Sequence, residues 1–318
     1  MLTVRIAPAL ELVMTVQAAT AWRDMALMAE SYPYRDELFT LADTFRDHAA
    51  VAQWQRLMEA YFMYDAPVAF ALHHSDPPAL MPQAPYPPML VARAGSNGEG
   101  ELTAWTDALR AFARDTGFQD VMERWRPFHA QLVTAAQPLV DDQWVSTLAS
   151  YAGMEVAPVQ IILAPLSAMA TGYGGDGGFV VLGPQMMDGE SRPVFNVGES
   201  LRAGIWHESA HAFVRRSSEA HDAAIKALEP LFSGIPEHLR YGGYSTWRIA
   251  LEEEMVRAVV ARLSPNPEDV AAHEAGLGFV HVPALTEALF EYDRARDRYP
   301  TWDRFVPRLL EALGHLPS

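Results

Sequence analysis

The chain has 318 residues, of which 50% are hydrophobic and 20% are charged, a balance typical of a globular protein with one large domain or two lobes. The net charge of −16 argues against nucleic acid and anionic membrane surfaces as partners. There is no cysteine, which excludes disulfides and thiolate zinc ligands, and no apolar stretch is long enough to span a membrane.

The N-terminal part is predicted to be a short strand followed by helices. Alternation over Leu2–Ile6 suits a strand, and apolar spacing over residues 8–75 predicts successive helices. A proline-rich segment at 76–88 cannot form a regular helix. Helices are predicted again over 101–116 and 118–137.

Strand signals appear in the middle of the chain. Val159–Leu163 and Gly178–Leu182 are predicted strands, with a glycine-rich turn at 171–178 between them. We expect the second strand to form a sheet edge beside the helix that follows, where an extended peptide could pair. The last hundred residues are predicted to be helical.

These elements predict an α+β protein that is predominantly helical. Residues 1–150 are expected to form a mainly helical lobe that begins with a short strand, and residues 151–318 a second lobe. The two lobes are expected to pack together as one unit.

A metal-binding motif stands at residues 207–211, which read His-Glu-Ser-Ala-His. A helix is predicted around it, because Gly198-Glu-Ser offers a start, Arg215 and Arg216 suit the C-terminal end, and no proline interrupts 197–216. On a helix, the two histidines face the same way and can bind one Zn²⁺, with Glu208 placed as general base for a zinc-activated water. The alternative is two core histidines bonded to carbonyl oxygens, with Glu208 at the surface.

A third ligand is needed for a catalytic zinc. The metzincin pattern is excluded, because Val214 and Ser217 stand where it requires glycine and histidine. A later helix over 247–263 offers Glu253. An apolar stripe at helical spacing comprises Ile249, Val256, Val260 and Leu263.

Glu253 falls on that stripe, where a carboxylate is unusual unless it is paired or binds a metal. It is therefore the predicted third ligand, with Glu252 as the second choice. The alternative is a Glu253–Arg257 ion pair on a solvated helix face.

With these residues in view, the chain resembles a bacterial family of unknown function grouped with the gluzincins, zinc peptidases whose metal is held by two histidines and a glutamate. The similar segments are Val4–Val13, Phe45–Val51, Phe112–Phe118, Gly172–Gly174, Trp206–Val214, Glu253–Ala258, Gly278–Phe279, Tyr292, Arg296, Tyr299 and Phe305–Pro307.

The resemblance implies a zincin-like core in the second lobe and independently selects Glu253. Gluzincins often place an acidic residue four positions after the ligand glutamate, to orient a histidine. Arg257 stands there in this chain, so we expect that support to come from elsewhere.

The expected function is a zinc metallopeptidase acting on peptides or proteins with one Zn²⁺. Tyr244 and Tyr173 are the candidate donors to the oxyanion, with Tyr241, His238 and His281 as further options. The alternative is a non-catalytic zinc-containing binding or regulatory protein on the same fold.

The N-terminal residues are predicted to be folded structure and not a signal peptide, which favours the cytoplasm. Because relatives in the resembling family are often exported, export with a removed leader is the alternative.

Overall fold

The computed structural model describes residues 2–155, 159–174, 178–195, 198–241 and 243–315. The chain groups into two compact units. One comprises Met1–Val140, Gln160–Tyr173 and Val180–Leu201, and the other comprises Asp141–Val159, Gly174–Phe179 and Arg202–Ser318. The lobes expected at 1–150 and 151–318 stay a prediction.

Helices and a small sheet build the first unit. The helices are α1 (Pro8–Gln17), α2 (Trp22–Ala26), α3 (Pro33–Thr44), α4 (Ala49–Glu59), α5 (Asp65–Leu72), α6 (Pro88–Arg93), α7 (Gly98–Asp115) and α8 (Phe118–Ala136), with a 3-10 turn at Gln137–Leu139. Proline occupies the first turn of α1, α3 and α6, where its missing N–H removes no helical hydrogen bond. The segment between α5 and α6 is irregular, as the prolines predicted.

The four-stranded sheet has the order β1-β2-β4-β3, from β1 (Thr3–Ile6), β2 (Gln160–Leu163), β3 (Gly172–Gly174) and β4 (Phe179–Leu182). β1 pairs with β2 in parallel, from Thr3 opposite Gln160 to Ile6 opposite Leu163. The prediction that the strand at 178–182 forms the edge is wrong, because β4 lies between β2 and β3. The described part of the glycine-rich turn contains the edge strand β3, and residues 175–177 lie outside the described residues. A two-stranded antiparallel ribbon, β5 (Met186–Met187) with β6 (Pro193–Val194), follows.

Stacked aromatic rings form the centre of the first unit. Trp105 stacks on Trp54 at 5.6 Å and on Phe70 at 4.5 Å between ring centroids, and all three side chains are buried. Glu11 on α1 is also buried, and its carboxylate accepts a 2.6 Å hydrogen bond from the hydroxyl of Tyr34.

The second unit is helical. Its helices are α9 (Gln143–Ala152), α10 (Gly198–Ala220, whose first residues belong to the first unit), α11 (Asp222–Ala227), α12 (Glu237–Tyr241), α13 (Trp247–Leu263), α14 (Pro267–Gly276), α15 (Val282–Arg294) and α16 (Trp302–Gly314), with a 3-10 helix at Glu229–Gly234. α13 lies at the centre and is buried over most of its circumference. Thr246 caps its start by accepting the backbone N–H of Ile249.

The predicted class, α+β and predominantly helical with a small sheet, is confirmed. One detail of the predicted stripe is wrong, because Ile249 is 42% exposed while Val256 is buried. α13 is buried by neighbours on several sides, so an apolar stripe alone does not locate its buried face. No described helix is both long and apolar enough to cross a membrane.

Candidate metal centre

α10 carries the His-Glu-x-x-His segment within the core of the second unit. Ile205, Ala210 and Val214 are fully buried, and the indole N–H of Trp206 donates to the carbonyl oxygen of Trp144 at 2.9 Å. Glu208 is only 7% exposed. The part of the alternative that places Glu208 at the surface is therefore wrong, and the part that concerns the histidines stays open.

The two imidazoles lie next to each other on one side of α10. The ring centroids of His207 and His211 are 5.0 Å apart and nearly perpendicular. Burial lowers the pKa of His207 to about 3, although the nearby carboxylate of Glu253 opposes the change. His207 is therefore neutral near pH 7, which is the form of histidine that binds metal ions.

The carboxylate of Glu253 reaches both imidazoles from α13. Its Oε1 lies 3.5 Å from Nε2 of His207, and its Oε2 lies 3.7 Å from Nε2 of His211. Glu253 is 6% exposed. The structure thus brings together the three residues predicted as ligands.

These spacings suit a metal with short bonds. Zinc binds imidazole nitrogen at about 2.0–2.1 Å and carboxylate oxygen at about 2.0–2.2 Å, so tetrahedral ligand atoms are about 3.3–3.5 Å apart. Ligand atoms of His207, Glu208 and His211 also lie within 4.8 Å of one another. The carboxylate of Glu208 is therefore near the same space.

The predicted alternative for Glu253, an ion pair with Arg257, is also present, but it is buried. Nε and Nη2 of Arg257 both contact Oε1 of Glu253 at 2.7 Å. Burial acts to raise the pKa of Glu253, but His207 and then Arg257 outweigh it and hold this pKa at about 2. Arg257 is the closer of these two partners, because its nitrogens lie 2.7 Å from Oε1 and Nε2 of His207 lies 3.5 Å from it.

The further candidates are scattered. Tyr244 lies beside Glu253 and Arg257, and burial followed by the charge of Glu253 raises the pKa of its hydroxyl. Tyr173 is half-buried in β3 within the first unit. Tyr241 is 82% exposed and His238 is exposed as well.

His281 is paired with Glu254, a contact that the sequence reasoning missed. Oε2 of Glu254 lies 2.6 Å from Nδ1 of His281, and Oε1 accepts its backbone N–H at 3.0 Å. Glu254 is fully buried. The sequence contained a signal for this buried pair: three consecutive glutamates stand in a strongly apolar helix and point in different directions around it, so more than one of them is expected to be buried.

Gly174, which belongs to the second unit, lies against the backbone of Glu208 on α10. A Cβ atom placed on Gly174 would lie 2.5 Å from the carbonyl oxygen of Glu208 and 2.6 Å from its Cβ. Only a residue without a side chain fits there, which explains the glycine at the end of this strand.

Comparison with known families identifies the family to which the chain belongs. Residues 2–312 match the family described as Domain of unknown function (DUF4932), and the protein belongs to that family because the match covers nearly the whole chain. No curated protein and no solved structure matches the chain significantly.

Proposed function

We propose that this protein is a zinc-dependent metallopeptidase related to the gluzincins, with a zincin-like core. The observation that carries the proposal is the meeting of three side chains from two helices. Nε2 of His207 and Nε2 of His211 lie 3.5 and 3.7 Å from the two oxygens of Glu253. Two imidazoles and one carboxylate are a ligand set that catalytic zinc uses.

His207, His211 and Glu253 would hold one Zn²⁺. The donor set fits, because one imidazole is held neutral, the carboxylate is held ionised, and each carboxylate oxygen lies within 3.7 Å of an imidazole nitrogen. A bound zinc ion supplies Lewis acidity, which polarises a carbonyl group and lets water attack near neutral pH.

Glu208 has the position and chemistry of a general base. Its carboxylate lies within 4.8 Å of the histidine ligand atoms, and it is buried on the same helix. It would take a proton from the attacking water and deliver it to the leaving amine nitrogen. A ligand set used only for structure has no need of this residue.

Tyr244 would donate a hydrogen bond to the oxyanion that forms from the substrate carbonyl. Burial keeps its phenol protonated, and it stands next to Glu253. Tyr173 stays a second candidate for this role.

A peptide substrate is supported by the strand that packs on α10. β3 is the outermost strand of the described sheet on its side, and its last residue, Gly174, packs on the backbone of Glu208. A strand at a sheet edge can pair with an extended peptide through backbone hydrogen bonds.

Metal content and cleavage test the proposal together. Purified protein is expected to hold about one zinc per chain by elemental analysis, and to cut members of a peptide library. Glu253→Gln should lower zinc content strongly. The matched control is Glu252→Gln, the same change one position earlier at a half-buried glutamate, which should retain zinc.

Glu208→Gln separates an enzyme from a protein that merely binds zinc. This variant should keep its zinc and lose at least about 100-fold in cleavage rate. Zinc in the wild type without cleavage of any peptide would favour the non-catalytic alternative. Equal zinc content in wild type, Glu253→Gln and His211→Ala would refute the proposed centre.

A further inference from the structure

Arg257 is the polar group most tightly bound to the carboxylate of Glu253. Its Nε and Nη2 both lie 2.7 Å from Oε1, and neither contacts Oε2 at a comparable distance among the described hydrogen bonds. A carboxylate oxygen has two lone pairs. Two N–H donors therefore hold Oε1, while Oε1 and Oε2 face the imidazoles of His207 and His211 at 3.5 and 3.7 Å.

The remaining faces of the guanidinium are also occupied. Nη1 of Arg257 lies 2.5 Å from Oε2 of Glu274 on α14, and the guanidinium carbon lies 3.7 Å above the ring of Phe279. The ring of Tyr244 meets that of Phe279 edge-on at 5.5 Å. Arg257 is thus held between two carboxylates and one aromatic face.

We infer that Arg257 is a positioning residue of the metal centre, which holds Oε1 of Glu253 and thereby fixes its carboxylate facing the imidazoles of His207 and His211. Glu274 and Phe279 hold Arg257 in turn. The inference rests on the zinc centre of the proposed function.

The geometry requires arginine and not only a positive charge. A planar guanidinium contacts Glu253 with two nitrogens, Glu274 with a third and Phe279 with its face. A lysine ammonium carries its charge on one nitrogen and cannot reach all of these partners at once. Lysine at position 257 would preserve the charge but would not hold the carboxylate of Glu253 in a fixed orientation.

Glu274 also limits the electrostatic cost of a cation beside a metal centre. Arg257 alone would cancel the charge of Glu253 and oppose the approach of Zn²⁺. With Glu274 included, the three side chains sum to one negative charge. The carboxylate of Glu253 is thereby oriented while the surroundings stay attractive to a divalent cation.

Zinc affinity of Arg257→Lys tests the inference, measured by competition with a chromogenic chelator. We expect affinity to fall about 10- to 100-fold, the usual effect of removing a partner of a metal ligand. The matched control is Arg262→Lys on the same helix, because Arg262 also stacks on a ring, that of Phe290 at 4.2 Å, and pairs with Asp293. Its zinc affinity should stay within about twofold of wild type.

Glu274→Gln provides a second variant in case Arg257→Lys does not fold. It should fold, since Glu274 is only partly buried, and lose about threefold or more in zinc affinity. Circular dichroism and thermal unfolding of the metal-free proteins check the fold of each variant. Cobalt(II)-loaded Arg257→Lys should show a visible spectrum that differs from that of cobalt-loaded wild type, because a carboxylate that is no longer held changes the ligand geometry.

The outcomes separate this inference from the proposed function. Zinc affinity in folded Arg257→Lys and Glu274→Gln equal to wild type would overturn the role of Arg257 and leave the peptidase proposal intact. Weaker zinc binding in both variants, in a protein that cuts no peptide, would support the role of Arg257 and count against the peptidase. A wild type that binds no zinc would overturn both.

Discussion

Replacing Gly174 with alanine should disturb the candidate catalytic helix without touching a ligand. The added Cβ would stand 2.5 Å from the carbonyl oxygen of Glu208, whereas ordinary contact begins near 3.4 Å. The carbonyl oxygen belongs to the helix backbone and not to a flexible side chain, so Gly174 and Glu208 must separate by about 0.9 Å. Forced overpacking of this kind costs about 1–3 kcal/mol of unfolding free energy.

Thermal and denaturant unfolding measure that cost, and Gly276→Ala is the control because a Cβ there meets nothing within 4 Å. Peptide cleavage by Gly174→Ala should fall about 100-fold, because a displacement near 1 Å moves Glu208 relative to the reacting groups. Zinc content should change little. If Gly174→Ala matches the control in both stability and cleavage, the close approach of Gly174 to Glu208 contributes to neither.

Three further changes test other parts of the structure. Burial raises the pKa of Glu11 from 4.5 to about 8, so its stabilising contribution is complete below about pH 4.5 and is lost as pH rises through 8. In the wild type, the unfolding free energy should therefore fall between about pH 4.5 and 8, and Glu11→Gln should reduce that slope by up to about 1.4 kcal/mol per pH unit. Urea titrations at several pH values measure the slope, and the same slope in both proteins would contradict the raised pKa of Glu11. Glu254→Gln should cost about 1.5–3 kcal/mol by weakening its two contacts with His281, while zinc content stays at the wild-type level; loss of zinc would show that the wrong glutamate was chosen. Ile249→Thr should change the unfolding free energy by less than about 0.5 kcal/mol, because Ile249 is exposed. Leu251→Ala should lower it by about 2–5 kcal/mol, because Leu251 is fully buried. Equal losses in the two variants would show that the buried face of α13 is assigned incorrectly.

The helix that carries the His-Glu-x-x-His segment, α10, could be predicted because the signals for it lie within the segment itself. A segment without proline and histidines at i and i+4 predict α10 and the side on which His207 and His211 lie. Glu253 was also predictable, since a carboxylate in a strongly apolar helix needs a partner. The burial of both Glu208 and Glu253 agrees with that reasoning.

The remaining features depend on tertiary packing that periodicity does not encode. α13 is covered on several sides, so the apolar stripe drawn through Ile249 did not mark its buried face. β3 has three residues, two of them glycine, and carries too little strand propensity to stand out from the surrounding glycines. Its place outside β4 follows from pairing between distant segments, which a single strand signal does not contain.

Two consecutive buried glutamates on α13, Glu253 and Glu254, contact different partners. Neighbouring residues on a helix point about 100° apart, so Glu253 faces the imidazoles of α10 while Glu254 faces the start of α15 at His281. Arg257, one turn after Glu253, lies on the same side as that residue and therefore supports the carboxylate itself. An acidic residue at position 257 could not do this, because a second negative charge would repel Glu253. In the proposed zinc centre, Arg257 therefore orients the glutamate and not a histidine.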